Sequence, residues 1–196
     1  MKIAFLDRDG VINRFPGNGG YVTKIKDFHF LPGSLEAIKF LTESGFKIFV
    51  VSNQAGVNRG IYSQEKLDQI TRHMMKFVIK TGGKIKKVFC CTHTPDENCD
   101  CRKPKIGSLQ RAFKLVGVKP NGPHRSFFVG DAKMDMEAGF AAGCTTILVL
   151  SGKENRQSIK SWPIQPDYIA KDLLAATRII ADENPRHSRL RRRRTH

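Results

Sequence analysis

Ile3-Ala4-Phe5-Leu6-Asp7-Arg8-Asp9-Gly10-Val11-Ile12-Asn13 begins with four apolar residues and stops in two aspartates one residue apart. The apolar run reads as a buried strand. A buried strand that ends in carboxylates delivers them to the carboxyl edge of a sheet, where open α/β folds bind their ligands. Two acids this close repel each other unless a cation lies between them or one keeps a proton.

Working outward, strands and helices alternate. Ser34 is placed to cap a helix through Glu43, with Leu35, Ile38 and Leu41 on one face and Gly45 at its end. Phe46 to Val51 reads as a strand buried on both faces that stops at Ser52-Asn53-Gln54. Ser63 opens a helix to about Lys80, and Lys84 to Cys90 reads as a third strand. Helices over Ser108 to Leu115, Asp135 to Ala142 and Asp172 to Ala181 alternate with strands over Ser126 to Val129, Thr145 to Leu150 and Asp167 to Ile169. This pattern predicts an α/β fold with a parallel sheet covered on both faces, three layers in all. Four polar clusters follow buried strands: Asp7 with Asp9, Ser52 with Asn53, the cysteines with Lys103, and Asp131. Parallel strands bring such clusters to one rim.

The 196 residues allow one domain with a sizeable core. We expect that domain over residues 1–184, followed by a basic, solvated tail over 185–196. The net charge is +16, and six of the arginines lie between Arg186 and His196. Such a surface favours anionic ligands, phosphates before membranes; nucleic acid is a less favoured partner, through the tail. No apolar run reaches the ~20 residues of a membrane helix. The first residues enter a strand directly, so a cytoplasmic protein is expected; a monomer is expected because no unexplained apolar stripe remains. Cys90, Cys91, Cys99 and Cys101 fall within twelve residues, with His93 among them. In that setting the cluster reads as a metal site before it reads as disulfides.

Taken as one site, the clusters suit phosphoryl transfer. Asp7, Asp9 and Asp131 form a hard oxygen environment fitted to Mg²⁺. Ser52 and Asn53 offer donors for a phosphate oxygen, and Lys103 offers a positive charge. Of the two paired acids, Asp7 would be the ionised nucleophile. Asp9 would carry the proton for the leaving alcohol. No G-x-x-x-x-G-K-[ST] loop is present, which excludes a P-loop nucleotide hydrolase.

F-L-D-R-D-G-V-I-N, V-S-N-Q, the lysine of C-R-K-P and V-G-D-x-x-x-D resemble, in order, the four motifs of the haloacid dehalogenase superfamily of phosphatases. The resemblance implies a Rossmann-like fold, Mg²⁺ and a phosphoaspartyl intermediate on Asp7. It also implies Asp9 as general acid and base, and Ser52 and Lys103 as holders of the phosphoryl group. Asp131 would bind Mg²⁺, with Asp135 in support. C-T-H at 91–93 and C-D-C-R-K-P at 99–104 resemble the zinc loop of the histidinol-phosphatase and heptose-bisphosphate-phosphatase branch. That implies structural Zn²⁺ on Cys91, His93, Cys99 and Cys101, with Arg102 and Lys103 presented to the ligand and Cys90 left to face the core.

Asp7 and Ser52 are 45 residues apart and Ser52 and Lys103 are 51 apart, and loop, helix, strand and metal loop consume both intervals. No cap domain fits. Selectivity then falls to loops: Asn18, Gly19, Gly20 and Tyr21 in one, Asn53, Gln54 and Arg59 in another, and the zinc loop. G-Y-V at 20–22 and S-N-Q-A-G-V-N-R-G-I-Y look like the heptose enzymes, whereas the short zinc loop is similar to the histidinol-phosphate enzymes. Ala132 departs from both, which commonly carry a basic residue there. The resemblance implies a phosphorylated small molecule, a sugar bisphosphate, as substrate: removal of the 7-phosphate from D-glycero-D-manno-heptose 1,7-bisphosphate. Histidinol phosphate or a nucleic-acid 3′-phosphate end are the alternatives.

Overall fold

The computed structural model describes residues 1–183, so the expected basic tail lies outside the described residues. Six strands form one sheet: β1 (Lys2–Leu6), β2 (Lys47–Asn53), β3 (Ile85–Cys91), β4 (Arg125–Gly130), β5 (Thr145–Val149) and β6 (Tyr168–Ala170). Their order is β3-β2-β1-β4-β5-β6, and every pairing is parallel. Four helices lie in the connections, α1 (Ser34–Glu43), α2 (Gln64–Lys80), α3 (Gly107–Leu115) and α4 (Lys133–Ala141), and α5 (Leu173–Asp182) follows β6.

The period of two in β1 divides its side chains between two cores. Ala4 and Leu6 join Ile38 and Leu41 of α1, Ile70 and Met74 of α2, and Leu173 and Ile180 of α5. Ile3 and Phe5 face the opposite side, with Leu109 and Phe113 of α3 and Ala138 of α4. The Phe5 ring lies between Phe49 at 5.7 Å, Phe113 at 5.1 Å and Phe128 at 6.1 Å. Burying one such ring is worth roughly 1.5–3 kcal/mol, which anchors β1 at the centre of the sheet. The outer strand β3 keeps Lys86 and Lys87 exposed, charges that discourage pairing at an open edge. Among the described residues no cap domain interrupts these connections.

The chain proceeds from β1 outward to β3, then crosses back to β4 on the other side of β1. The reversal opens a crevice at the carboxyl ends of β1 and β4, the place where this topology binds ligands. Asp7 and Asp131 follow those two strands, and the Asp7 N–H bonds the Val129 carbonyl at 3.0 Å.

Three local expectations are corrected. Ser34 does not cap α1: Gly33 holds the cap position with φ 75°, and Ser34 is the first helical residue. That left-handed turn suits glycine, and a Cβ there would meet Leu174 Cδ2 at 2.9 Å. Helix α4 starts at Lys133 rather than Asp135, because Asp135 sits in its first turn and accepts from the Ala132 N–H at 3.0 Å. Cys90 is half-buried near Arg8 and Asp9 instead of facing the apolar core. Ser63 does cap α2, accepting from the Lys66 N–H at 3.3 Å.

Candidate active site

Lys103 is the centre of the site. Its ammonium group is buried 2.9 Å from Asp7 Oδ1, 2.7 Å from Asp135 Oδ1 and 2.7 Å from the Val51 carbonyl. Burial alone would lower its pKa, but Asp135 and Asp7 reverse the effect and hold it above the ordinary lysine value. Asn53 fixes the same residue through its backbone, donating to the Lys103 carbonyl at 3.1 Å and accepting from the Lys103 N–H at 3.1 Å.

Asp7, Asp131 and Asp135 each place a carboxylate oxygen within 4.8 Å of the others. Asp135 is the innermost: one oxygen meets Lys103, and the other accepts from the N–H groups of Asp131 at 3.2 Å and Ala132 at 3.0 Å. Its oxygens are engaged, which places it behind Asp7 and Asp131. Asp131 accepts from the Lys153 N–H at 2.7 Å. Two glycines admit it: a Cβ would come within 2.1 Å of Asp131 Oδ2 from Gly10 and within 2.0 Å from Gly152.

Three carboxylates around one ammonium group leave an excess of negative charge. Burial, with Asp135 and Asp9 adding to it against the opposing Lys103, raises the pKa of Asp7 to about 7. Burial and then the charges of Asp7 and Asp135 raise Asp131 to about 8. A hard divalent cation between Asp7 and Asp131 would remove that penalty, so the donor set fits Mg²⁺. The sign of the resulting pH dependence follows from linkage. Without Mg²⁺ the folded protein retains protons that an unfolded carboxyl group, with its ordinary value of 3.8, gives up. Stability is then greatest in acid and falls as pH rises through about 7 and about 8. Saturating Mg²⁺ competes with those protons, so the rise in melting temperature on adding Mg²⁺ is expected to grow from pH 5.5 to 8.5, as roughly the span of the two titrations. A rise that stays flat across a thermal-denaturation series would contradict this charge assignment.

Asp9 does not join the carboxylate cluster, which corrects its expected side-chain ligation of Mg²⁺. Its carboxylate turns to Arg8, with an ion pair at 2.9 Å, to Asn13 Nδ2 at 2.8 Å and to Gln54 Nε2 at 2.8 Å. Four donors in reach hold it at the cavity mouth, away from the other acids. Arg8 is completely buried. Sequence reasoning passed over it, although an arginine between two aspartates is itself a signal of charge compensation.

A cavity of about 210 Å³ opens above these groups. Asp7, Asp9, Ser52, Asn53, Arg102, Lys103 and Asp131 reach it, together with Asn18, Gly19, Gly20 and Tyr21. Two expected substrate contacts do not. Arg59 is exposed on the turn that precedes α2 and lies outside the lining, and Gln54 is 1% exposed, its amide spent on protein partners. The lining adds Phe15, Met134 and Lys153, which no motif marked.

A second cluster directly precedes Arg102 and Lys103, which line the cavity. The sulfur atoms of Cys91, Cys99 and Cys101 lie 3.2–3.6 Å apart, and His93 Nδ1 lies 3.7 Å from Cys91 and 3.4 Å from Cys101. A tetrahedral ion with metal–sulfur bonds near 2.3 Å separates its sulfurs by roughly 3.8 Å, so the four groups could hold one metal ion with little movement. The Arg102 guanidinium donates to the His93 carbonyl at 3.2 Å, which ties a cavity residue to the metal loop. Glu97 ties that loop to the one before α2, accepting from the Thr94 N–H at 2.6 Å and from Asn58 at 2.9 Å.

Fold and site together define a class, the HAD-like phosphatases, and a family model described as HAD-hydrolase-like matches residues 100–176. The chain is 37% identical over 178 residues to the D-glycero-beta-D-manno-heptose-1,7-bisphosphate 7-phosphatase of Pseudomonas putida, covering 91% of this chain and 98% of that protein. The enzyme of that name from Pasteurella multocida is 35% identical, with 91% and 96% covered. A crystal structure of D,D-heptose 1,7-bisphosphate phosphatase from B. bronchiseptica, complexed with magnesium and phosphate, superposes with a TM-score of 0.84 at 31% identity, covering 94% of this chain and all of that one. The chain belongs to the haloacid dehalogenase superfamily of phosphatases, in the branch that contains these heptose-bisphosphate enzymes.

Proposed function

We propose that this chain hydrolyses the 7-phosphate of D-glycero-D-manno-heptose 1,7-bisphosphate through an aspartyl phosphate on Asp7. The observation that carries the reading is the placement of Lys103 between Asp7 and Asp135, at the base of a cavity whose rim is basic. Lys103 opposes the protonation of Asp7, an effect that bound Mg²⁺ would complete, and aims the carboxylate; its positive charge meets the incoming phosphoryl oxygens. Ser52 donates its hydroxyl proton to one of them. Asp7 attacks phosphorus in line as the P–O bond to the sugar breaks. Asp9 gives its proton to the departing sugar oxygen, then takes one from the water that hydrolyses the acyl phosphate. Mg²⁺, held by Asp7 and Asp131, would neutralise phosphoryl charge throughout.

Arg102, and Lys153 at the exposed rim, leave a positive surplus around the part of the substrate that is not cleaved. A second phosphate suits that surplus better than the imidazole and ammonium groups of histidinol phosphate. Zinc is the ion best matched to three thiolates and one imidazole. With no open position, its role would be to hold the loop.

Phosphate release from heptose bisphosphate, histidinol phosphate and a 3′-phosphorylated oligonucleotide, each with and without Mg²⁺, tests the reading. Heptose bisphosphate is expected to lead in kcat/KM by at least about 10²-fold, since each of two charge-assisted contacts to a second phosphate supplies about 1.5–3 kcal/mol. Preferred turnover of either competitor would overturn the choice of substrate.

A further inference from the structure

Gln54 is buried beneath the cavity, and all three of its hydrogen-bonding positions are engaged. The Tyr62 hydroxyl donates to Gln54 Oε1 at 2.5 Å. That contact sets the amide, so both protons on Nε2 face the reacting groups. One goes to Asp9 Oδ2 at 2.8 Å and the other to Ser52 Oγ at 2.8 Å. Asp9 Oδ2 also accepts from the Arg8 guanidinium at 2.9 Å, so the reverse amide orientation would set oxygen against oxygen. Burial holds the Tyr62 phenol well above its ordinary pKa, which keeps its proton available to donate.

Ser52 Oγ thus accepts from Gln54, and no acceptor among the described residues takes the proton of Ser52 itself. Since Ser52 reaches the cavity, that proton is left for a phosphoryl oxygen. Asp9 is braced from the other side by Arg8 and Asn13. Tyr62 is in turn backed by the cavity wall: its ring lies 6.0 Å from that of Tyr21. Gly56 fits between them, where a Cβ would come within 2.5 Å of Tyr62 Cε1 and 2.9 Å of Tyr21 Cγ.

We infer that Tyr62 and Gln54 are positioning residues: through one fixed amide they aim the Ser52 proton at the phosphoryl group and hold Asp9 beside the leaving oxygen. Neither touches substrate. Tyr62 acts only through Gln54, and Gln54 acts on both halves of the reaction at once. The inference rests on the roles proposed above for Ser52 and Asp9.

A double-mutant cycle tests it on the full chain with saturating Mg²⁺. Gln54→Leu is expected to lose about 10²-fold in kcat on heptose bisphosphate, the scale of a lost oriented donor. Tyr62→Phe is expected to lose about 10-fold, the scale of a supporting hydrogen bond, and for both variants kcat should fall further than KM rises, because each acts on substrate only through Ser52 and Asp9. The double variant should be no slower than Gln54→Leu alone. Gln54→Glu keeps the shape of the side chain but turns a donor into an acceptor. It should be at least as slow as Gln54→Leu although it fills the same volume, which a packing role would not produce. Losses that multiply in the double variant, or wild-type kcat in Gln54→Glu, would overturn the inference.

The affinity of inorganic phosphate, measured by calorimetry with Mg²⁺ present, provides the same cycle without turnover. If the sugar assignment is wrong, phosphate binding still weakens in Gln54→Leu with no further loss in the double variant. Wild-type protein that binds no phosphate would overturn the relay and the phosphatase reading together.

Discussion

Asp7→Asn is expected to lose at least about 10⁴-fold in kcat, the scale of removing the nucleophile from an enzyme that acts through a covalent intermediate. The amide keeps the size and the strand position of the carboxylate but cannot form the acyl phosphate. The fold should survive. Asp7 is one of three crowded carboxylates, and its substitution relieves the repulsion that raises Asp131 to about 8. Lys103 loses one partner but keeps Asp135 at 2.7 Å and the Val51 carbonyl at 2.7 Å. The variant should therefore melt no lower than wild type in the absence of Mg²⁺, and the stabilisation gained on adding Mg²⁺ should shrink because one ligand is lost. Steady-state kinetics alongside calorimetric melting would check both parts. Residual turnover within tenfold of wild type would remove Asp7 from the nucleophile's role.

Cys101→Ser is expected to cost about 10²-fold in kcat, the price of a displacement of about 1 Å in a positioning group. Cys101 is a buried member of the cysteine–histidine cluster, and Arg102 and Lys103 follow it directly. A serine oxygen is a poor substitute for a thiolate on a soft ion, so the bound metal should fall from about one equivalent to well below it. The loop from 92 to 100 would then lose the tie that the metal supplies and keep its hydrogen bonds and the exposed Asp100–Arg111 ion pair. Asn53 holds the Lys103 backbone independently, so the loss is expected to fall short of that for Asp7→Asn. Elemental analysis, melting temperature and kcat should fall together. Full zinc content with unaltered kcat would show that the cluster does not set the position of Lys103.

Periodicity and breaks made most of the architecture legible. The run Ile3 to Leu6, the run Phe46 to Val51 and the glycine-bounded helices all lie within a residue or two of their observed limits, because burial on two faces leaves a strong apolar signature. The exceptions are local. Ser34 looks like a cap by composition, but the left-handed turn at Gly33 occupies the cap position. Cys90 looks like a core residue beside Val88 and Phe89, yet its place at the strand end puts it near Arg8 and Asp9.

Asp7 and Asp131 were legible because each directly follows a strand, and parallel strands share one rim. Arg8, Lys153 and Tyr62 were not: Arg8 and Tyr62 lie within motif stretches at positions where the motifs carry no role, and Lys153 is one cation in a basic chain. Gln54 and Arg59 were read as substrate contacts from their sequence position. Main-chain direction decided otherwise: it turns Gln54 beneath the cavity and leaves Arg59 on the outside of the turn.

The sequence by itself determined the alternation of strands and helices, the four polar clusters at strand ends and the spacing of three cysteines and a histidine, because these depend on neighbours along the chain. Only the tertiary structure decided how the acids divide their work. Asp7 and Asp131 face each other across the cavity floor because β1 and β4 are adjacent. Asp9, two residues from Asp7, turns to Arg8, Asn13 and Gln54. The turn that follows β1, closed by the Ile12 N–H on the Arg8 carbonyl at 2.8 Å, separates two acids that strand periodicity would place on one face, while the crossover from β3 to β4 brings together residues more than a hundred positions apart.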